Sequence, residues 1–178
     1  VFDQHYVKRL DGPNVKQGSK LEMAEQIRED IRNFKAANNC DRLVIVWDHI
    51  TGPSFVVALD KLTGPELWRV SRDEIDTWAT PLVVEHGGRA QVIVPGMNRL
   101  KSYDLETGKV VWESQGLTMN PIPSPVAADG MVYAMSGFRG NNLKAIRLAD
   151  ATGDITGTSA IVWSLDRDTP YVPSPLLY

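Results

Sequence analysis

From residue 43 onward the chain alternates short apolar runs with polar turns, whereas residues 19–35 follow a helical rhythm. Met23, Ala24, Ile27, Ile31 and Phe34 recur at steps of three and four, which draws one apolar stripe along a helix. Glu25, Arg28, Glu29, Arg32 and Lys35 occupy its other faces. Ser19 and Glu22 have the spacing of a capping box, so the helix is expected to start at Ser19 and to stop near Asn38-Asn39. Residues 1–18, with Asp11-Gly-Pro13-Asn and Gln17-Gly18, read as an irregular opening segment. Leu43-Val-Ile-Val-Trp47 is a continuous apolar run and predicts a buried strand.

Beyond His49 the pattern is all β. Phe55–Leu59 and Glu66–Val70 predict a hairpin closed by Asp60-Lys-Leu-Thr63-Gly64, where the glycine supplies a positive φ and the Asp and Thr side chains bond nearby N–H groups. The same grammar returns 44 residues later: Asp60, Thr63, Gly64 and Trp68 become Asp104, Thr107, Gly108 and Trp112. Thr77–Val84, Ala90–Val94, Leu100–Leu105 and Val110–Glu113 are the expected strands of this second copy, with a turn at His86-Gly-Gly88. A stretched third copy runs through Pro121–Val126, Met131–Met135, Leu143–Leu148 and Ala160–Trp163, with an insertion between Ala149 and Ser159. Tyr171-Val-Pro-Ser-Pro175-Leu-Leu-Tyr178 opens a further copy. A repeat of this length with a conserved turn type predicts stacked propeller blades. The expected fold is mainly β: an incomplete β-propeller of about two to three four-stranded antiparallel blades over residues 43–178, preceded by one amphipathic helix within residues 1–42.

Charge narrows the partners. The 19 basic and 22 acidic side chains leave a net charge of −3, without the basic excess that nucleic acid or an anionic membrane surface requires. The apolar runs are too short to span a bilayer, which takes about 20 residues. The sequence opens Val1-Phe-Asp-Gln-His, without a Met or a secretion signal, and reads as a fragment or processed chain. A single cysteine, Cys40, excludes an internal disulfide and a cysteine metal cluster.

Two family resemblances follow from particular residues. Val1–Lys16, Glu25-Gln-Ile-Arg-Glu-Asp-Ile-Arg-Asn-Phe-Lys35 and Cys40–Trp47 resemble a piece of myo-inositol-1-phosphate synthase. In that family the piece lies in the dinucleotide-binding domain, but here Trp47 is followed by Asp48-His49-Ile50-Thr51-Gly52 where cofactor-holding residues would be expected. The glycine-rich phosphate turn and the lysine-rich catalytic segment are also missing, so the resemblance transfers no functional residue. Residues 43–178 resemble a β-propeller protein of the pyrroloquinoline-quinone-like repeat type, on the Asp-x-x-Thr-Gly-x-x-x-Trp turn, Ser124–Tyr133 and Ser136-Gly-Phe-Arg-Gly140. The resemblance implies a binding scaffold, often in proteins exported from the bacterial cytoplasm, and does not imply the quinone. A join between the two sources is expected between Arg42 and His49.

Several groups invite a chemical reading. Asp73, Glu74 and Asp76 could form an acid–base pair or a cation site, but a solvated loop is expected. Asp150 and Asp154 lack the dense oxygen ligands of a calcium loop and are expected in a structural insertion. His5, His49 and His86 lack zinc-ligand spacing, and His86 beside Gly87-Gly88 reads as a turn residue. The preferred site is Ser136-Gly-Phe-Arg139-Gly-Asn141-Asn142, where Arg139, Asn141 and Asn142 would offer a cation and two amides to an anionic or sugar ligand at a blade rim. Trp68, Trp112 and Trp163 could stack on a sugar, but their shared repeat position predicts packing between blades.

The expected function is therefore a non-catalytic binding or interaction scaffold without cofactor, metal or catalytic residues. Its partner is a small ligand or protein at the blade rim, with self-association through open blades. The alternatives are a fragment of an NAD-dependent inositol-3-phosphate synthase and a fragment of a quinoprotein.

Overall fold

The computed structural model describes residues 41–178. The helix expected from Ser19, together with His5 and Cys40, lies outside the described residues. The chain divides into two compact units, Val1–Arg42 with Asp60–Gly64, and Leu43–Leu59 with Pro65–Tyr178. Of the first unit, the structure describes Asp41, Arg42 and the Asp60–Gly64 turn.

The described residues are mainly β, in three sheets with one short 3-10 turn at Leu148–Asp150. The first sheet has the order β1 (Arg42–Trp47), β2 (Ser54–Asp60), β3 (Glu66–Arg72). The second contains β4 (Leu82–His86), β5 (Arg89–Val94), β6 (Arg99–Asp104) and β7 (Val110–Gln115), paired in sequence order as an antiparallel meander. The third contains β8 (Val126–Ala128), β9 (Met131–Ser136), β10 (Asn142–Arg147) and, after the insertion, β12 (Ile161–Leu165). The sheets therefore depart from a uniform four strands, since the first has three and the second gains a fifth from the insertion. Thr77–Pro81, expected to begin a strand, lies outside the ladder, and pairing starts only at Leu82.

The repeated turn forms as its residues dictate. Asp60 Oδ1 accepts bonds from the N–H groups of Leu62 and Thr63 at 2.9 and 2.7 Å and from Thr63 Oγ1 at 2.7 Å. Asp104 Oδ1 does the same for Glu106, Thr107 and Thr107 Oγ1 at 3.1, 2.8 and 2.8 Å. Gly64 and Gly108 then take φ of 91° and 71°, a region that favours glycine. A ladder irregularity recurs at Ala58/Leu59, Ser102/Tyr103 and Ala145/Ile146, so each repeat bends at one point.

Successive sheets pack face to face. Val56, Val92, Val94 and Tyr103, with Val44, Val46, Trp68 and Val70, fill the space between the first and second sheets. Ile93, Leu100, Trp112, Val132, Ala134 and Ile146 fill the space between the second and third. Trp68 lies over Gly108 and donates its indole N–H to the Leu105 carbonyl at 3.0 Å. Trp112 donates to Gln91 Oε1 at 3.2 Å, which also accepts Ser102 Oγ at 2.8 Å. Both tryptophans thus pack between repeats, as their position predicts.

Trp163, at the same repeat position, is 46% exposed, and among the described residues no further sheet covers it. A second expectation is corrected on β1, which is not buried on both faces. Val44 and Val46 face the core, whereas Leu43, Ile45 and Trp47 face outward with no described sheet over them.

The insertion has its own role. Its β11 (Gly153–Asp154) pairs parallel to β7, Ile155 donates its N–H to the Glu113 carbonyl at 2.8 Å, and the Ile155 side chain is buried in the core. A loop leaving the third sheet thereby covers the outer edge of the second, which would otherwise present unpaired backbone.

Candidate functional site

Ser136–Asn142 joins β9 to β10. Arg139 sits at the exposed tip with φ of 51°, beside Gly140 at 137°, and its guanidinium lies over the Phe138 ring at 5.5 Å. Phe138 in turn stacks on Tyr171 at 4.8 Å between centroids. Asn141 Oδ1 accepts the Thr169 N–H and Oγ1–H, both at 3.0 Å, so that amide oxygen ties the loop to the segment after β12. Asn142 opens β10, and its Oδ1 is buried without a hydrogen-bond partner. The three residues share one loop, with a cation at the tip and two amides at its base.

The acidic cluster disperses. Asp73 is exposed, and its carbonyl accepts from Asn98 Nδ2 at 2.6 Å. Glu74 is buried and accepts the N–H groups of Asn98 and Arg99 at 2.9 and 2.8 Å. Burial raises its pKa and the two N–H donors oppose the rise. Glu74 therefore pins the β5–β6 connection, and a Cβ on Gly96 would collide with its carboxylate. Asp154 pairs with Arg99 at 3.1 Å on the surface. His49 Nδ1 accepts the Thr51 N–H at 3.1 Å while the ring stacks on Trp47, and His86 ends β4. Among the described residues no group of three or more His, Cys, Asp or Glu is placed to hold a metal ion. No helix among them is long and apolar enough to cross a membrane.

Two buried polar centres escaped the sequence reading. Arg72 meets Asp48 through Nε–Oδ1 at 2.9 Å and Nη2–Oδ2 at 3.1 Å, and also donates to Tyr103 Oη at 3.1 Å and the Pro95 carbonyl at 3.0 Å. Burial alone would lower the Arg72 pKa, but Asp48 and Tyr103 raise it, so the guanidinium is a permanent charge joining the first sheet to the second. Burial raises the Tyr103 pKa, keeping the phenol protonated. Lys144 projects from β10 and donates to the carbonyls of Gln115 and Gly116 at 2.7 and 2.9 Å. Those acceptors favour the ammonium, but burial prevails and lowers its pKa to about 8. For Lys144 the signal was a charge between the apolar neighbours Leu143 and Ala145 in β10, whereas Arg72 ends a β3 that already holds Glu66, Arg69 and Ser71 and gave none. Neither announces its partners, which lie 23 or more residues away.

The repeated sheets, their shared turn and their inter-sheet tryptophans define a β-propeller of the pyrroloquinoline-quinone-like repeat type. A family model described as outer membrane protein assembly factor BamB matches residues 53–177, and the chain belongs to that family. A second model, described as myo-inositol-1-phosphate synthase, matches residues 1–59. Inositol-3-phosphate synthase 1 of Bacteroides thetaiotaomicron is 53% identical over 48 residues, covering 26% of this chain and 11% of that protein. A probable inositol 3-phosphate synthase isozyme 3 of Arabidopsis thaliana is 28% identical over 115 residues, or 56% of this chain and 22% of that one. The crystal structure of BamB from Moraxella catarrhalis aligns with a TM-score of 0.47 at 20% identity, over 71% of this chain and 34% of that chain. The chain thus spans a tenth to a fifth of these synthases and about a third of that propeller.

Proposed function

We propose that residues 43–178 are successive blades of a propeller that acts as a non-catalytic binding scaffold, preceded by a synthase-like segment at 1–42 with one amphipathic helix. One comparison of equivalent positions carries this reading. The bond from Leu105 N–H to the Ala90 carbonyl in the second sheet has its counterpart in Lys61 N–H to Asp41, which matches Leu43 and Ile45 to Val92 and Val94. Val92 and Val94 are 0% exposed beneath the first sheet, whereas Leu43 and Ile45 are 41% and 37% exposed. At the other end Trp163 stands open where Trp112 is sealed. Both terminal sheets therefore offer an apolar face of the kind that the interior of the stack buries, and apolar faces of this kind mark association sites.

The family description names an outer membrane protein assembly factor. By that likeness the propeller part works by contact with other proteins, in an exported bacterial setting. The loop bearing Arg139, Asn141 and Asn142 is a second contact point, at the blade rim. The test is sedimentation velocity of the chain carrying Ile45→Lys or Trp163→Lys. Association that weakens in either variant, with the thermal midpoint unchanged, supports the scaffold; association indifferent to both refutes it.

The match of residues 1–59 and the 53% identity over 48 residues favour one alternative, a fragment of an NAD-dependent inositol-3-phosphate synthase. Calorimetric titration with NAD decides it: heat of binding supports the enzyme reading, and a flat titration removes it.

A further inference from the structure

We propose that the loop between β9 and β10 binds a small acidic saccharide, with Arg139 taking its carboxylate or phosphate group. The inference rests on the rim contact named above and gives that contact a ligand class.

Arg139 is held in a conformation that its residue type does not favour. Among the described residues four besides glycine carry a positive φ: Asn120, Asp129, Arg139 and Asp168. Asparagine and aspartate are enriched in that region, whereas arginine is not, so Arg139 is the exception. The surrounding contacts impose the shape. Ser136 Oγ accepts the N–H and the hydroxyl of Thr118, both at 2.8 Å, and Asn141 Oδ1 accepts the Thr169 N–H at 3.0 Å. Backbone strain kept up by anchors on both sides of a loop tip is the pattern of a preorganised site.

The second sheet shows a related loop supplied with a charge from within the chain. Gly96 lies over Glu74, and 44 positions on Gly140 lies over Thr118. The Glu74 carboxylate takes the N–H groups of Asn98 and Arg99. In the third sheet a neutral threonine stands where that acid stood. Among the described residues Arg139 has no carboxylate partner, and its guanidinium rests on the Phe138 ring at 5.5 Å. With one face on the ring, its N–H edge stays free for a two-oxygen anion.

The rest of the loop suits a sugar. Thr169 occupies the Asn141 oxygen, which leaves Nδ2 as a donor without a described partner. Asn142 Oδ1 is buried and lacks a donor, which a ligand hydroxyl would supply. Hydroxyl groups both give and accept hydrogen bonds, so they match this pair of amides. Phe138 stacks on Tyr171 at 4.8 Å, and Tyr171 is 37% exposed, offering an aromatic surface to the C–H side of a sugar ring. Cation, amide pair and aromatic surface together call for more than a bare ion.

The test is calorimetric titration of the whole chain with glucuronate, glucose 6-phosphate, glucose and inorganic phosphate. Heat of binding is expected with one or both acidic saccharides and none with glucose. Binding of glucuronate alone assigns the carboxylate, and of glucose 6-phosphate alone the phosphate. Arg139→Lys keeps the charge without the fork and is expected to weaken binding at least about tenfold at an unchanged thermal midpoint. Arg89→Lys, at an exposed arginine that opens β5, is expected to change nothing. Inorganic phosphate binding as tightly as the saccharides, or Arg139→Lys binding as the parent does, overturns the proposal. No heat with any of the four also overturns it, and leaves the association through Ile45 and Trp163 to its own test.

Discussion

Arg72 and Asp48 form a two-pronged ion pair sealed from solvent, with the arginine and aspartate side chains 1% and 0% exposed. Removing one partner strands the other charge in the interior. Asp48→Ala is therefore expected to destabilise the fold by roughly 3–5 kcal/mol. Asp48→Leu combined with Arg72→Met removes both charges together and is expected to lose less than either single change. Urea denaturation of the two singles and the double checks this, and additive losses would show that the two side chains do not act as a pair.

Gly108 and Gly64 close equivalent turns but meet different surroundings. A Cβ on Gly108 would fall 2.7 Å from the Trp68 indole, whereas one on Gly64 meets nothing within 4 Å. Both carry positive φ, so alanine strains each turn by about 1 kcal/mol. Gly108→Ala adds the indole collision and is expected to cost a further ~1–3 kcal/mol. Thermal unfolding of the two variants isolates the inter-sheet contact as their difference.

The three tryptophans of the repeat separate by position. Trp112→Ala opens a cavity between sheets and is expected to destabilise by roughly 3–5 kcal/mol. Trp163 is half exposed, and its replacement by alanine is expected to cost under about 1 kcal/mol. Equal losses would mean that the third sheet is covered in solution.

Lys144 gives the stack a dependence on alkaline pH. Its folded pKa of about 8 lies below the ordinary 10.5, so between those values the unfolded chain binds the extra proton. Stability then rises with pH: the burden of the buried ammonium is fully present below pH 8 and is relieved toward pH 10.5. Relative to Lys144→Met, the intact chain is expected to gain up to about 2 kcal/mol between pH 8 and 9.5. Parallel pH profiles for the two proteins would contradict the assignment.

Local chemistry made much of this fold legible in advance. Asp60 and Asp104 each organise a turn with residues at most three positions away, and the 44-residue spacing of Trp68 and Trp112 reports a contact that the first two sheets each make with the next. Relationships closed by the stack were not legible. Arg72 finds Tyr103 and Pro95 only because the second sheet folds onto the first. Leu43–Trp47 reads as buried because its composition is apolar, yet Leu43, Ile45 and Trp47 are exposed, with no described sheet over them. The Gly153–Asp154 strand could not be read either, since two residues carry no periodicity and their pairing with β7 depends on where the third sheet returns. At the preferred site, the sequence located the loop of Arg139, Asn141 and Asn142 but could not reveal that Asn141 is committed to Thr169.

The central claim is that this chain is a repeat scaffold whose first sheet associates through the apolar face of Leu43 and Ile45. Amide hydrogen exchange of Leu43–Trp47, followed across a concentration series, tests it most directly. The account predicts fast exchange in β1 at low concentration and strong protection as association proceeds, while the β5–β6 ladder stays protected throughout. Exchange in β1 that is independent of concentration would contradict it.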